Sequence, residues 1–351
     1  MFRGVPRRRL VLGGIIGLFL LTLIATGLTY LGRNQVYDAA IRRQRSVVPD
    51  DSFTADDGRV RVLLCGTGSP EISDARAQAC TMVAAGGRTF LFDVGDGSTK
   101  SLHESGVDVA GIDKVFLTHF HSDHFNGLGM LVNSGWIWGR EEPLPVAGPP
   151  GVVEVVDGLD AAYSLDRGYR TSHMDGVQRS EDAQAEAEGF TIPEGEDSVV
   201  VHDQDGVRIE AVRVDHEPVE PAYGYVLTYA GKKVFVSGDT KVTPETMPAM
   251  RDADIVVHEA YATHMVRRAV PIMRELGQAH DADVAERTMS YHADTIELAE
   301  QAEKADVEHL VLTHLTPYPS NVVARHWFTE GMADRFHGEL TLGEDGMVIT
   351  I

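Results

Sequence analysis

The chain has 351 residues, 43% hydrophobic and 24% charged, with 31 Lys and Arg against 53 Asp and Glu and a formal net charge of −22. That length leaves ample room for one large core. The excess of acid is the opposite of the basic face that grips nucleic-acid phosphates.

The N-terminus carries Arg3, Arg7, Arg8 and Arg9, followed by an uncharged run from Leu10 to Gly32. Such a run is long enough to cross a bilayer and longer than the apolar core of a usual signal peptide. No clear small-x-small cleavage site follows, which favours an uncleaved signal anchor. Gly13, Gly14, Gly17 and Gly27 are compatible with a membrane helix. The arginine cluster predicts a cytoplasmic N-terminus and an extracytoplasmic domain, with Arg33, Arg42, Arg43 and Arg45 on the other flank working against it. Arg7-Arg8-Arg9-Leu10-Val11 also loosely fits a twin-arginine export signal, which leads to the same destination. The expected organisation is a basic N-terminus (1–9), a single-pass transmembrane anchor (10–32), a polar stalk (33–58) that is helical through Arg45, and one domain over 59–351. Beyond Arg45 stand 23 basic and 52 acidic residues, a net of −29.

Within the domain, Ala84–Gly97 (AAGGRTFLFDVGDG) predicts a strand-turn-strand unit turning at Gly86-Gly87 and ending in an aspartate-glycine loop. Ile112–Leu117 predicts a short buried strand, and THFHSDHFNG follows as a loop leading into a helix. His119, His121, Asp123 and His124 fall within six positions there. Imidazole and carboxylate suit Zn²⁺ and its first-row neighbours. On an extended backbone His119 and His121 face the same way; once the chain turns, Asp123 and His124 can aim at a second point. One loop thus starts two metal sites and finishes neither. Trp136 and Trp138 leave the helix beyond it, as packing or as the mouth of a site. Ser180–Ser198 is acid-rich and predicts an inserted solvated loop rather than a lid. Cys65 and Cys80 are the only cysteines. Outside the cytoplasm they could pair, though spacing alone does not decide their geometry.

The missing ligands are expected at later strand ends, and an internal echo indicates where. Ile112–His121 recurs as Val307–Thr316, aligning His119 with His314, and Ala84–Gly97 recurs as Thr228–Thr240. Two similar halves predict a duplicated layered α/β domain with its loops along one edge. The second half then offers His216, Asp239 and His314, each after a β-rich apolar run.

From about Val60 onward the chain resembles the metallo-β-lactamase superfamily, in the branch of ribonuclease Z and the arylsulfatase-type hydrolases. The resemblance runs through LLCGTGSP, FLFDVGDG, FLTHFHSDHFNGL, DHEPVEPAYGYVL, VFVSGDT, DIVVHEAYA, SYHADT and LVLTHL, in family order. It implies a four-layer αββα sandwich built of two similar halves. It implies a first metal on His119, His121 and His216, a second on Asp123, His124 and His314, and Asp239 bridging them. Asp93 matches the family carboxylate that orients a metal-bound histidine. His124, where the antibiotic-degrading lactamases have arginine, and the absence of a cysteine ligand argue against those enzymes.

The expected cofactors are two Zn²⁺, with Mn²⁺ or Fe as alternatives. Water bridging two dications ionises near neutral pH, giving a hydroxide nucleophile that Asp123 can orient. The resemblance points to His292 as the acid that protonates the leaving group, oriented by Glu259; here the chain reads His292-Ala293 where ribonuclease Z has histidine-serine. Ribonuclease Z also carries a protruding arm before its SGDT motif, and only VLTYAGKKVFV separates Gly224-Tyr225 from Ser237. The expectation is therefore a membrane-anchored, extracytoplasmic dinuclear hydrolase of small anionic esters, phosphodiesters first and aryl sulfates next, with no nucleic-acid partner and homodimerisation open. A lactone or carboxylic esterase, a tRNA 3′-processing endonuclease and a non-catalytic exported binding protein are the alternatives.

Overall fold

The computed structural model describes residues 21–23, 25–27, 30, 32–45, 52–174, 177, 179 and 181–351. The chain divides into an N-terminal unit, Met1–Pro49, and a compact unit, Asp50–Ile351. The N-terminal unit contains a helix over Arg33–Arg45. The transmembrane helix expected over 10–32 falls mostly outside the described residues, and among those described no helix is long and apolar enough to cross a membrane. The structure thus gives the anchor and its membrane partner no support.

The compact unit is built on two seven-stranded sheets. The first holds β1 (Arg61–Gly66), β2 (Cys80–Ala85), β3 (Arg88–Phe92), β4 (Lys114–Phe116), β5 (Leu144–Gly148) and β6 (Ala185–Gly189). The second holds β7 (Ser198–Gln204), β8 (Val207–Arg213), β9 (Tyr223–Tyr229), β10 (Lys232–Val236), β11 (Ile255–Tyr261), β12 (His309–Thr316) and β13 (Glu339–Leu342). A last strand, β14 (Val348–Thr350), returns to pair with β1, so the orders are β14-β1-β2-β3-β4-β5-β6 and β13-β12-β11-β10-β9-β8-β7.

Alternation along the strands explains the layering. In β3, Phe90 and Phe92 enter the core between the sheets, while Leu91 turns to the other face. In β10, Val234 and Val236 face inward and Phe235 outward. Phe92 stacks on Phe116 at 5.5 Å, and Phe116 meets Tyr225 of the opposite sheet at 5.4 Å. Leu102, Leu128, Leu131, Val152 and Val156 cover the outer face of the first sheet. Met250, Met265, Leu298 and Phe328 cover the second. The expected αββα sandwich is present.

The duplication holds for strand order, with one displacement. In each sheet an antiparallel hairpin is followed by a parallel strand: β2-β3 then β4, and β9-β10 then β11. By topology β4 corresponds to β11, whereas the echo of Ile112–His121 lies in β12, one strand further out. What the two segments share is a strand end opening on the same edge of the sandwich.

Ser180–Ser198 departs from the expected loop. Residues 185–189 form β6, parallel to β5 at the edge of the first sheet, with Ala185 and Ala187 packed on the core and Glu186 and Glu188 turned outward. Alanine and glutamate are weak strand formers, and burial of alternate alanines decides the conformation. Within the segment read as a stalk, Phe53 is buried among Leu63, Met82 and Leu91, and Asp56 accepts a hydrogen bond from the Tyr229 hydroxyl at 2.6 Å. Cys65 and Cys80 form a disulfide across β1 and β2.

Candidate metal centre

His119, His121, Asp123 and His124 leave the end of β4, the last two within a short helix over Ser122–Phe125. His216 follows β8, Asp239 follows β10, and His314 lies within β12. The structure brings all seven together, as His119, His121, His216 and Asp239 on one side and Asp123, His124 and His314 on the other. Asp239 Oδ2 lies 3.3 Å from His124 Nε2, 3.4 Å from His314 Nε2, 3.8 Å from His216 Nε2 and 3.9 Å from His119 Nε2. Asp123 Oδ2 lies 3.0 Å from His314 Nε2 and 3.6 Å from His124 Nε2. His121 presents its Nδ1, 3.2 Å from His216 Nε2.

Two backbone features make this convergence possible. Gly238 has φ +61°, and a Cβ there would meet Thr118 Cβ at 2.8 Å and the Tyr223 carbonyl at 2.9 Å. Only glycine lets the Asp239 loop close on the His119 loop. His314 has φ +47° inside a strand. That conformation costs a histidine energy and is retained where surrounding structure holds it, here aiming the ring at Asp123.

The rings are oriented from behind. Asp93 Oδ2 takes the Nδ1 proton of His124 at 2.7 Å and accepts from Thr118 Oγ1 at 2.8 Å, while Thr118 Oγ1 lies 3.0 Å from His119 Nδ1. The resemblance places Asp93 in this role, and the geometry suits it; Thr118 is a partner that sequence reasoning missed. His216 donates its Nδ1 proton to the Tyr291 carbonyl at 3.1 Å, turning a bare Nε2 lone pair into the cluster. Burial holds the His119 imidazole well below its usual range, aided by neighbouring His124. Burial also lowers His121 and His216. Burial opposes protonation of His124 and His314 too, but Asp239 with Asp93 raises the first well above its usual range, and Asp239 with Asp123 raises the second to about 9.

These donors fit a cationic centre. His119 Nε2, His124 Nε2 and Asp239 Oδ1 are buried without a hydrogen-bond partner. Each such atom costs about 1–3 kcal/mol when left unsatisfied. Divalent cations suit a set of imidazoles and carboxylates pointed at one another.

Beside the cluster, His292 Nδ1 meets Glu259 Oε1 at 2.8 Å, and Glu259 Oε1 also accepts from the Thr240 amide at 2.9 Å. The expected pairing of these two residues is therefore present in the geometry. Burial opposes protonation of His292, but the Glu259 carboxylate raises it above the usual imidazole range. Trp136 is packing: it is buried and donates to the Arg179 carbonyl at 3.0 Å.

The family described as "Beta-lactamase superfamily domain" matches residues 88–315. The chain belongs to the β-lactamase superfamily. Within it the chain is similar to ribonuclease Z of Mycobacterium sp. (strain KMS), 35% identical over 289 residues that cover 82% of this chain and 94% of the relative. Ribonuclease Z of Mycobacterium marinum is 33% identical over 82% of this chain and 96% of its own. Among solved structures, the human short-form tRNase Z superposes with a TM-score of 0.59 at 23% identity, covering 82% of this chain and 98% of that one. The metallo-beta-lactamase fold protein YhfI from Bacillus subtilis gives a TM-score of 0.61 at 19% identity, over 84% and 100% of the two chains. Membership makes the chain a metal-dependent hydrolase of the superfamily. The relatives also bear on two expectations. The relatives lie on the ribonuclease Z side of the branch, which leaves the arylsulfatase side without support, and their name conflicts with the expected absence of a nucleic-acid partner.

Proposed function

We propose that this superfamily member is a dinuclear phosphodiesterase of the ribonuclease Z kind, acting on an RNA phosphodiester. The observation that carries the reading is the similarity to ribonuclease Z across 94% of a relative's length, with the ligand cluster inside the matched region. His119, His121 and His216 would hold one cation and Asp123, His124 and His314 the other, with Asp239 between them. When bound, the two cations, zinc first and manganese or iron as alternatives, lower the pKa of water and neutralise charge on phosphoryl oxygens. His292 holds a proton on the nitrogen turned away from Glu259 and delivers it to the departing oxygen. Glu259 keeps that imidazole charged and in register. Asp93 and Thr118 fix the ring planes of His124 and His119.

A second reading, a small phosphodiester, is favoured by the turn between β9 and β10. These strands are joined through Ala230-Gly231 alone, so nothing protrudes there to grip a large RNA. The Cys65–Cys80 disulfide supports placing such an enzyme outside the cytoplasm, where disulfides persist. Metal-loaded protein should be given a tRNA precursor with a 3′ trailer and, in parallel, bis-p-nitrophenyl phosphate. Cleavage at the trailer supports the first reading, and turnover of the small diester alone selects the second. Failure on both, with p-nitrophenyl sulfate or a lactone turned over instead, overturns phosphodiester hydrolysis.

A further inference from the structure

Tyr291 stands beside the ligand cluster with a role nothing above assigns. Its ring centroid lies 5.2 Å from that of His216 and 4.8 Å from that of His292. Its carbonyl is tied to His216 Nδ1, so its backbone cannot drift from the centre. The preceding turn is pinned as well: the Tyr261 hydroxyl lies 3.0 Å from the Ala285 carbonyl and 2.8 Å from Thr288 Oγ1, and the Tyr261 ring stacks on His292 at 5.5 Å.

Two tyrosine hydroxyls near the centre are tied down, that of Tyr225 to the Leu117 carbonyl at 2.5 Å and that of Tyr261 in the bonds just described. Tyr291 is half-buried, and among the described residues its hydroxyl has no hydrogen-bond partner. The ring thus stands against the cluster while the residue keeps part of its surface in solvent, where a flat group could lie on it.

We propose that the Tyr291 ring is the platform on which a nucleobase flanking the scissile phosphodiester stacks. The proposal rests on the phosphodiesterase reading. Stacking needs a π-face and no particular hydrogen bond, so the platform accepts any base. It selects for a nucleoside neighbour over an alkyl one.

The test uses the metal-loaded protein in two assays. In the first, binding of adenosine 5′-monophosphate is compared with that of methyl phosphate. Wild type should prefer the nucleotide, and Tyr291→Leu should lose that preference by roughly 5- to 150-fold, the worth of one base on an aromatic ring. Tyr291→Phe and Tyr291→Trp should keep it. In the second, hydrolysis of thymidine 5′-p-nitrophenyl phosphate is compared with methyl p-nitrophenyl phosphate, and Tyr291→Leu should slow only the former. Equal affinity of wild type for the two monoesters, or an equal loss on both diesters, would overturn the platform. So would loss of the preference in the Phe variant, which assigns the effect to the hydroxyl. If Tyr291→Leu sheds metal by displacing His216, the Phe and Trp variants carry the test. A nucleotide preference without any diester hydrolysis would sink the functional reading and leave the platform standing; hydrolysis without preference would do the reverse.

Discussion

Glu259 Oε1 and His292 Nδ1 meet at 2.8 Å, and the same oxygen takes the Thr240 amide at 2.9 Å from the loop that carries Asp239. One carboxylate thereby links the proton-bearing imidazole to the backbone of the central ligand. Glu259 raises the affinity of His292 for its proton, so the acid form persists to higher pH and is lost only as pH rises through that raised value. Removing the negative charge must lower it. Glu259→Gln, which still accepts from Thr240, should shift the alkaline limb of the kcat profile to lower pH. An unmoved limb would detach His292 from the chemistry.

His292→Ala should leave metal content intact and slow turnover by roughly 10²- to 10⁴-fold, the usual worth of a positioned general acid. The loss should be smallest with p-nitrophenolate as leaving group and largest with alkyl alkoxides, which need a proton to depart. A uniform loss across the series would mark charge stabilisation instead. Loss of metal, read by elemental analysis, would make His292 a ligand.

Metal loading should release protons. His124 is held well above its usual range and His314 at about 9, so both carry protons at neutral pH that a cation must displace. Affinity at Asp123, His124 and His314 should therefore rise with pH from neutrality toward about 9, where His314 gives up its proton. The other histidines, already neutral, add no such slope. Calorimetry in buffers of different ionisation enthalpy measures the release; a heat independent of buffer would contradict it.

Asp93→Ala removes the acceptor of His124 and Thr118 without touching a ligand. Metal affinity should fall about 10- to 100-fold, as it does when the group orienting a metal-bound histidine is lost. His119→Ala and Asp239→Ala should instead empty one or both positions of a pair. Metal titration separates the outcomes, and full occupancy in Asp93→Ala would show that packing alone orients the ring.

Cys65→Ala with Cys80→Ala opens a bridge spanning 15 positions. Closing a loop of that size contributes about 3 kcal/mol through the unfolded state. Chemical denaturation should show a loss of that order, and unchanged stability would mean the sulfurs merely pack.

The ligands were legible because metal chemistry restricts residue type so narrowly that His119-x-His121-x-Asp123-His124 admits few other readings. The hairpins were legible because apolar alternation brackets Gly86-Gly87 and Ala230-Gly231. What escaped depended on tertiary context. β6 is written in alanine and glutamate, and only burial of Ala185 and Ala187 makes it a strand. Phe53 sits in a polar stretch that composition assigned to a stalk. Thr118 and Tyr291 act through a hydroxyl and a carbonyl, groups so common that no spacing marks them. The echo between Ile112–His121 and Val307–Thr316 led to His314, which lies in the cluster, but the two segments sit on strands that do not correspond, because the sandwich gathers its loops at one edge and is indifferent to which parallel strand delivers them.

Among the described residues, the only passage from the first sheet to the second before the C-terminal strand is the stretch 190–197 between β6 and β7. Each of the two ligand sets draws on both sides of it: His119 and His121 need His216 and Asp239, and Asp123 and His124 need His314. A lone half is therefore not a smaller enzyme. Holding both halves in one chain makes intramolecular an encounter that would otherwise depend on concentration. Severed between Glu194 and Gly195, the domain should yield fragments that are inert apart and regain turnover only by reassociating.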